Sequence, residues 1–199
     1  MNISLEAASS NLRKYVQAFT TFTDAEWSAL GSTMEIRTLP RKHVFVRLGE
    51  ISTTVGFVIA GSLRQYYITP ENDERTTYFF FEGALVGGYL SFVAKKPSLV
   101  AIEAMEDAQI LTFPYPALEA LYDRYPAWER FGRRIAEYLV MGLEERLVEH
   151  LMYSPEERYE RLVKSHRTKI LERAPQQYIA SYLGITPVSL SRIRSRFST

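Results

Sequence analysis

The spacing of apolar residues changes character twice along this chain of 199 residues. Near the start, apolar positions from Leu12 to Phe19 predict a helix, and Thr23 with Glu26 forms the capping pair that opens a second one. From about Glu35 to Phe113 the rhythm becomes that of short strands rich in Val, Ile, Phe, Tyr and Thr. The runs are His43–Leu48, Val55–Ala60, Leu63–Thr69, Thr76–Phe81, Leu99–Glu103 and Gln109–Phe113. Turn signals separate them at Gly49, Gly61, Asn72-Asp73, Gly83, Gly87-Gly88 and Lys96-Pro97. Short strands at near-regular spacing predict a β-sandwich or barrel-like roll.

Beyond Phe113 the chain turns helical. Pro116 opens a short helix through Tyr122, and Pro126 opens a long one to about Met152. Ile135, Leu139, Leu143, Leu147 and Leu151 recur every four residues along it, with Trp128, Phe131, Tyr138 and Met141 on neighbouring faces. That is more apolar surface than packing on the roll would use, so the helix is expected to pair with its own copy across a two-fold axis. Phe131, Ile135, Tyr138, Leu139, Gly142 and Leu143 are the candidate dimerisation residues. Tyr153-Ser-Pro155 breaks the helix and starts another, from Glu156 to about Glu172.

The last segment, from Gln176 to Arg194, reads as a helix-turn-helix. Ile179, Ala180 and Leu183 form an apolar stripe, and Gly184 suits the left-handed backbone that ends a helix. Thr186 can cap a second helix whose first turn takes Pro187. Leu190, Ile193 and Phe197 then face inward, while Val188, Ser191, Arg192 and Ser195 face out, flanked by Arg194 and Arg196. Short polar residues with arginine are what a helix in the major groove offers to bases and phosphates.

Charge changes the picture in the same direction. The chain carries a net +1, but residues 161–199 hold eight Lys/Arg against Glu172, a net of +7, and residues 1–160 carry −6. A basic terminal module on an acidic body is the footprint of a nucleic-acid binder. Composition adds limits. Apolar residues make up 46% and aromatics 13%, as in a folded globule. Absence of cysteine removes disulfides and thiolate-ligated iron–sulfur clusters. No apolar run approaches the ~18 residues of a membrane span, and no leader opens the chain, so a cytoplasmic location is expected. Metal chemistry finds little: His43 reads as a surface strand residue, and His150 and His166 as solvated helix residues in other zones. No nucleophile beside a base and no phosphate-cradling glycine loop is present, so no enzyme is expected.

The order of roll, long helix and terminal helix-turn-helix resembles the Crp/Fnr family of bacterial transcription regulators over nearly the whole chain. The residues that carry the likeness are Phe57-Val-Ile-Ala-Gly61-Ser-Leu-Arg64, Glu82-Gly83 with Gly87, and Tyr178-Ile-Ala-Ser-Tyr-Leu-Gly-Ile-Thr-Pro-Val-Ser-Leu-Ser-Arg192. The terminal string is similar to that of Bacteroidetes-type members. The resemblance implies an α+β fold: an antiparallel β-roll (a double-stranded β-helix, jelly-roll-like) over residues 1–122, a dimerisation helix over 123–153 and a DNA-binding domain over 154–199. It implies double-stranded DNA, a second copy, RNA polymerase and a small-molecule effector as partners.

The family's roll holds a cyclic nucleotide with a Gly-Glu pair for the ribose and an Arg-Ser/Thr pair for the phosphate. Here Gly87 keeps the glycine and Gly88 replaces the glutamate; Pro97 or Ser98 stands at the arginine position and Leu99 at the hydroxyl position. Lys95 and Lys96 offer point charges and no planar fork. Gly87, Gly88, Tyr89, Ser98 and Leu99 are the candidate pocket residues, and cyclic AMP is not expected to be the effector.

In the reading helix the family's Arg-Glu pair aligns with Pro187 and Val188, while Arg192 keeps the later arginine. Arg192 is the candidate guanine contact and Val188 a thymine-methyl contact. Gln177, Ser189, Arg194 and Arg196 are candidate phosphate contacts, with Thr186, Pro187, Ser191 and Ser195 completing the surface. The expected function is a sequence-specific transcriptional regulator. The rival readings are a small-molecule-sensing or interaction module with a degenerate helix-turn-helix, and a haem-bearing sensor using His43.

Overall fold

Two helices lead into the sheets. In the computed structural model, which describes residues 3–165 and 167–197, α1 spans Leu5–Gln17 and α2 spans Asp24–Gly31. Helix α1 starts about two turns earlier than the apolar spacing predicts, because the Ser4 hydroxyl accepts from the Ala7 N–H. Thr23 and Glu26 cap α2 reciprocally, as their spacing predicts: Glu26 N–H donates to Thr23 Oγ1, and Thr23 N–H to the Glu26 carboxylate at 2.8 Å.

The roll is built from strands β1 (Glu35–Leu39), β2 (Val44–Val46), β3 (Thr54–Ala60), β4 (Leu63–Ile68), β5 (Glu74–Phe80), β6 (Leu85–Val86), β7 (Ala101–Ala104) and β8 (Ala108–Pro114). One sheet runs in the order β1-β8-β3-β6 and the other β2-β7-β4-β5. In the first, antiparallel β8 pairs Thr112 with Glu35 on one side and with Gly56 on the other. Every predicted strand run holds a strand. The pattern did not mark β1 and β6 separately; β1 exposes Glu35, Arg37 and Thr38 and β6 is only two residues long. A short helix, α3 (Tyr89–Ala94), also lies where the sequence suggests only a loop.

The helical remainder consists of α4 (Tyr115–Arg124), α5 (Pro126–Met152), α6 (Pro155–Lys164), α7 (Thr168–Arg173), α8 (Gln176–Tyr182) and α9 (Pro187–Phe197). The predicted single helix from Glu156 to Glu172 is two helices. Ser165 ends the first, with its N–H and hydroxyl both donating to Leu162 O. His166 lies outside the described residues.

The chain falls into two compact units, one made of Met1–Arg64 with Phe80–Leu139, the other of Gln65–Phe79 with Val140–Thr199. The first unit holds the main core: Leu12 and Val16 of α1, Phe57, Leu111 and Phe113 of the sheet, and Trp128 and Phe131 of α5. Trp128 is fully buried and donates from Nε1 to Glu26 O at 3.0 Å. This corrects one expected dimer contact. Phe131 is 4% exposed, packed edge-on to Phe19 and Trp128, and Ile135 leans on the same core. The aromatic cluster at the start of α5 buries Phe131, while Ile135 stays half-buried.

Candidate nucleic-acid interface

The second unit ends in the helix-turn-helix, and its local chemistry explains its geometry. Gly184 has φ +71°, and the turn is closed by Gly184 N–H to Ser181 O and Ile185 N–H to Ala180 O, each 3.0 Å. That pair of bonds is the Schellman arrangement, which needs a left-handed residue and so favours glycine. Thr186 then caps α9: its Oγ1 accepts from Ser189 N–H at 3.1 Å, its carbonyl from Leu190 N–H at 3.0 Å, and its hydroxyl pairs with the Ser189 hydroxyl. Pro187 occupies the first helical position, where no donor is missed.

Burial divides α9 as the spacing predicts, with one exception. Leu183, Leu190 and Ile193 are buried, while Val188, Ser191, Arg192, Arg194, Ser195 and Arg196 are exposed. Arg192 is therefore not drawn into the interior. Phe197 departs from the pattern. It is 48% exposed, with its ring tilted against that of Tyr159 at 5.5 Å between centres.

Ser191, Arg194 and Ser195 line a shallow open concavity together with Gln176 from the start of α8. Gln176 was not among the sequence candidates; Gln177, which was, is also exposed. The signal that separates them is helical phase, legible only once the start of α8 is known. Arg196 is partly neutralised by Glu156, at 3.7 Å.

Beneath α8 lies a denser set of contacts. Arg146 of α5 stacks over the Tyr182 ring at 3.5 Å from its centre, donates to Tyr182 O, and pairs with Glu149 at 3.3 Å. Burial lowers the pKa of Arg146 against the opposing pull of Tyr182 and Glu149. Arg167 reaches the Tyr182 hydroxyl at 3.3 Å. His150 lies beside Arg158, with Nδ1 3.4 Å from a guanidinium nitrogen. Burial, then Arg146 and Arg158, push its pKa below the ordinary histidine value.

The second candidate site, in the roll, is built differently. A Cβ placed on Gly87 would lie 2.6 Å from the Phe92 ring, and one on Gly88 2.9 Å from Ser52 Cβ. Any larger residue, a glutamate included, must displace its neighbours there. Phe92 in turn stacks on Tyr115, with ring centres 4.8 Å apart. Ser98 is buried and spends its groups on the backbone: its hydroxyl donates to Val100 O and accepts from Val100 N–H, and its N–H donates to Glu50 O. Leu99 is 63% exposed, Tyr89 is 39% exposed, and Lys95 pairs with Glu119 at 3.4 Å. These residues do not assemble the carboxylate and guanidinium that a cyclic nucleotide needs.

His43 is exposed just before β2, and among the described residues no group of three or more His, Cys, Asp or Glu is placed to hold a metal. No described helix is long and apolar enough to cross a membrane.

The comparisons with known proteins agree with this architecture. Residues 36–125 match the cyclic nucleotide-binding domain family. The chain is 23% identical over 188 residues to the fumarate and nitrate reduction regulatory protein of Vibrio cholerae, covering 89% of this chain and 74% of that one. It is 22% identical over 169 residues to the Escherichia coli protein of the same description, covering 80% and 67%. Among solved structures, FixK2 from Bradyrhizobium japonicum shares the fold with a TM-score of 0.71 at 16% identity, over 83% of this chain and 84% of that one. The catabolite activator protein of Thermus thermophilus does so with a TM-score of 0.56 at 22% identity, over 90% and 85%. A roll followed by an exposed, basic helix-turn-helix, on a chain with these relatives, is the arrangement of a DNA-binding transcriptional regulator of the Crp/Fnr type, and the relatives named are regulators rather than enzymes.

Proposed function

We propose that the protein reads DNA as a homodimer through α9, with Arg192 as the base-reading residue, and that it does so without cyclic AMP. The observation that carries the reading is the division of α9, with Leu190 and Ile193 buried while Val188 and Arg192 project into solvent. An exposed arginine one turn into such a helix matches the bidentate edge of guanine. Gln176, Ser191, Arg194 and Ser195 supply the polar, cationic surface for phosphates.

The dimer rests on the far half of α5. Leu143, Leu147, Leu151 and Met152 are 69%, 58%, 73% and 72% exposed, and Tyr138, Val140 and Met141 are also uncovered. Such a stripe favours a second copy at roughly 25 cal/mol per Å² buried, and regulators of this family act as dimers. A Cβ on Gly142 meets nothing within 4 Å, so a second helix has room to approach there.

Against cyclic AMP stand Gly88 in place of a carboxylate, the Phe92 ring against Gly87, and the absence of an arginine at residues 97–99. The reading includes the division into residues 1–122, 123–153 and 154–199, membership of the Bacteroidetes-type group on the terminal string, RNA polymerase as a partner and the cytoplasm as location.

The test is fragment selection from genomic DNA, followed by affinity measurements at two salt concentrations with and without cyclic AMP. Affinity should fall steeply with salt, since each phosphate contact releases counterions, and cyclic AMP should leave it unchanged. Failure to enrich any fragment sinks the DNA reading; tightening by micromolar cyclic AMP sinks the effector claim.

A further inference from the structure

The terminal motif leaves two residues unassigned, Ser181 and Tyr182, and both are engaged by the β4–β5 hairpin that shares their compact unit. The Ser181 hydroxyl donates to Glu74 O at 3.0 Å and accepts from Thr76 N–H at 2.9 Å. β5 is the outer strand of its sheet. In an extended strand, the carbonyl of one residue and the N–H two residues on point to the same side, and a neighbouring strand would bond both. A hydroxyl carries one donor and can accept, so a single serine supplies what that missing strand residue would. Beside it the Tyr182 ring packs on Phe79, with centres 5.3 Å apart. Thr76 and Tyr182 are 3% and 4% exposed, whereas Ser181 is half-buried and Glu74 exposed, so the contact lies at the margin of a buried patch.

The face of α8 used here is not the one that carries α9. Ala180 O and Ser181 O bind the turn, and Leu183 and Leu190 are buried, so α8 and α9 form one piece. With the hairpin contact made, Val188, Arg192 and Ser195 remain exposed. The contact fastens the reading helix without covering it.

We propose that Ser181 is a positioning residue for DNA reading: by completing the edge of β5 it fixes the angle at which α8 presents α9. The inference rests on the DNA-binding reading above. A dimer must hold two reading helices about one helical turn, ~34 Å, apart. A module already fixed loses less freedom on binding than one that swings.

The experiment uses the full chain and a fragment that the native protein selects. Ser181→Ala should weaken binding about tenfold, the equivalent of one or two net hydrogen bonds, and should speed amide exchange at Thr76. Ser181→Thr keeps the hydroxyl and should retain both native values. Exchange at Thr76 distinguishes this from general damage to the fold, which would accelerate exchange in α9 as well. Two results overturn the proposal: unchanged Thr76 exchange in Ser181→Ala, which denies the contact, or faster exchange with equal or tighter DNA binding, which denies its role. If the native chain selects no fragment, the DNA reading itself has failed, and Thr76 exchange still reports separately whether the contact exists.

Discussion

Helix α5 runs through both compact units, and its two halves meet opposite fates. In the first, Trp128 and Phe131 vanish into an aromatic cluster with Phe19, Phe22 and Trp27. In the second, Leu143, Leu147 and Leu151 stand in solvent. The candidate sites divide the same way. In the roll Ser98 is buried and hydrogen-bonded to the backbone and Phe92 lies against Gly87, whereas α9 holds Arg192 and Val188 outward. An apolar or polar residue is structural where the chain supplies its partner. Where the chain supplies none, it is available to another molecule.

The largest test of that contrast is Trp128→Ala. It removes a fully buried ring and its hydrogen bond to the Glu26 carbonyl, so the unfolding free energy should drop by ~3–5 kcal/mol in denaturant titration. A loss below 1 kcal/mol would mean that the cluster is not a core. On the other half, Leu143→Glu with Leu147→Glu should leave circular dichroism intact yet weaken self-association by about 3 kcal/mol, near one buried leucine pair. Sedimentation would read this as a shift from dimer to monomer; a dimer that persists removes α5 as the interface.

Arg192→Ala should weaken binding to a selected fragment by ~1–3 kcal/mol and relax discrimination at one base pair, with stability unchanged. An equal loss on all sequences would reassign it to the phosphates. Thr186→Ala removes the cap of α9 and should cost ~1 kcal/mol of stability, visible in the melting of the terminal helices.

The smallest expected effect is at His150. Its folded pKa is lowered, so the unfolded chain takes up a proton that the folded one resists. Stability should therefore fall as pH drops through ~6.5 and below. His150→Gln should flatten that slope; an unaltered slope would assign it to other groups. Because His150 is largely exposed, the slope is shallow.

Much of this was legible before any coordinates. Thr23 with Glu26, Gly184 and Thr186 act on neighbours within four residues, so their roles follow from spacing alone. The roll's strands announced themselves through β-branched and aromatic runs. Illegible were the features that depend on distant partners. Strand β1 exists because β8 pairs with it, and the break at Ser165 splits a pattern that looked continuous. Phe131 looked as exposed as Leu143, since periodicity assigns a face but not what lies across from it. Ser181 carried no signal, because its partners are Glu74 and Thr76, more than a hundred residues away.

The sequence by itself determined the order of the main elements, the phase of α9 and the charge gradient. Local sterics and the chemistry of individual residues set each of these. Only the tertiary structure decided which half of α5 is core, that Ser98 and Phe92 are already occupied, and that a serine of α8 completes the edge of β5. Burial and hydrogen-bond pairing are properties of what packs opposite a residue, and the chain settles that only when it folds.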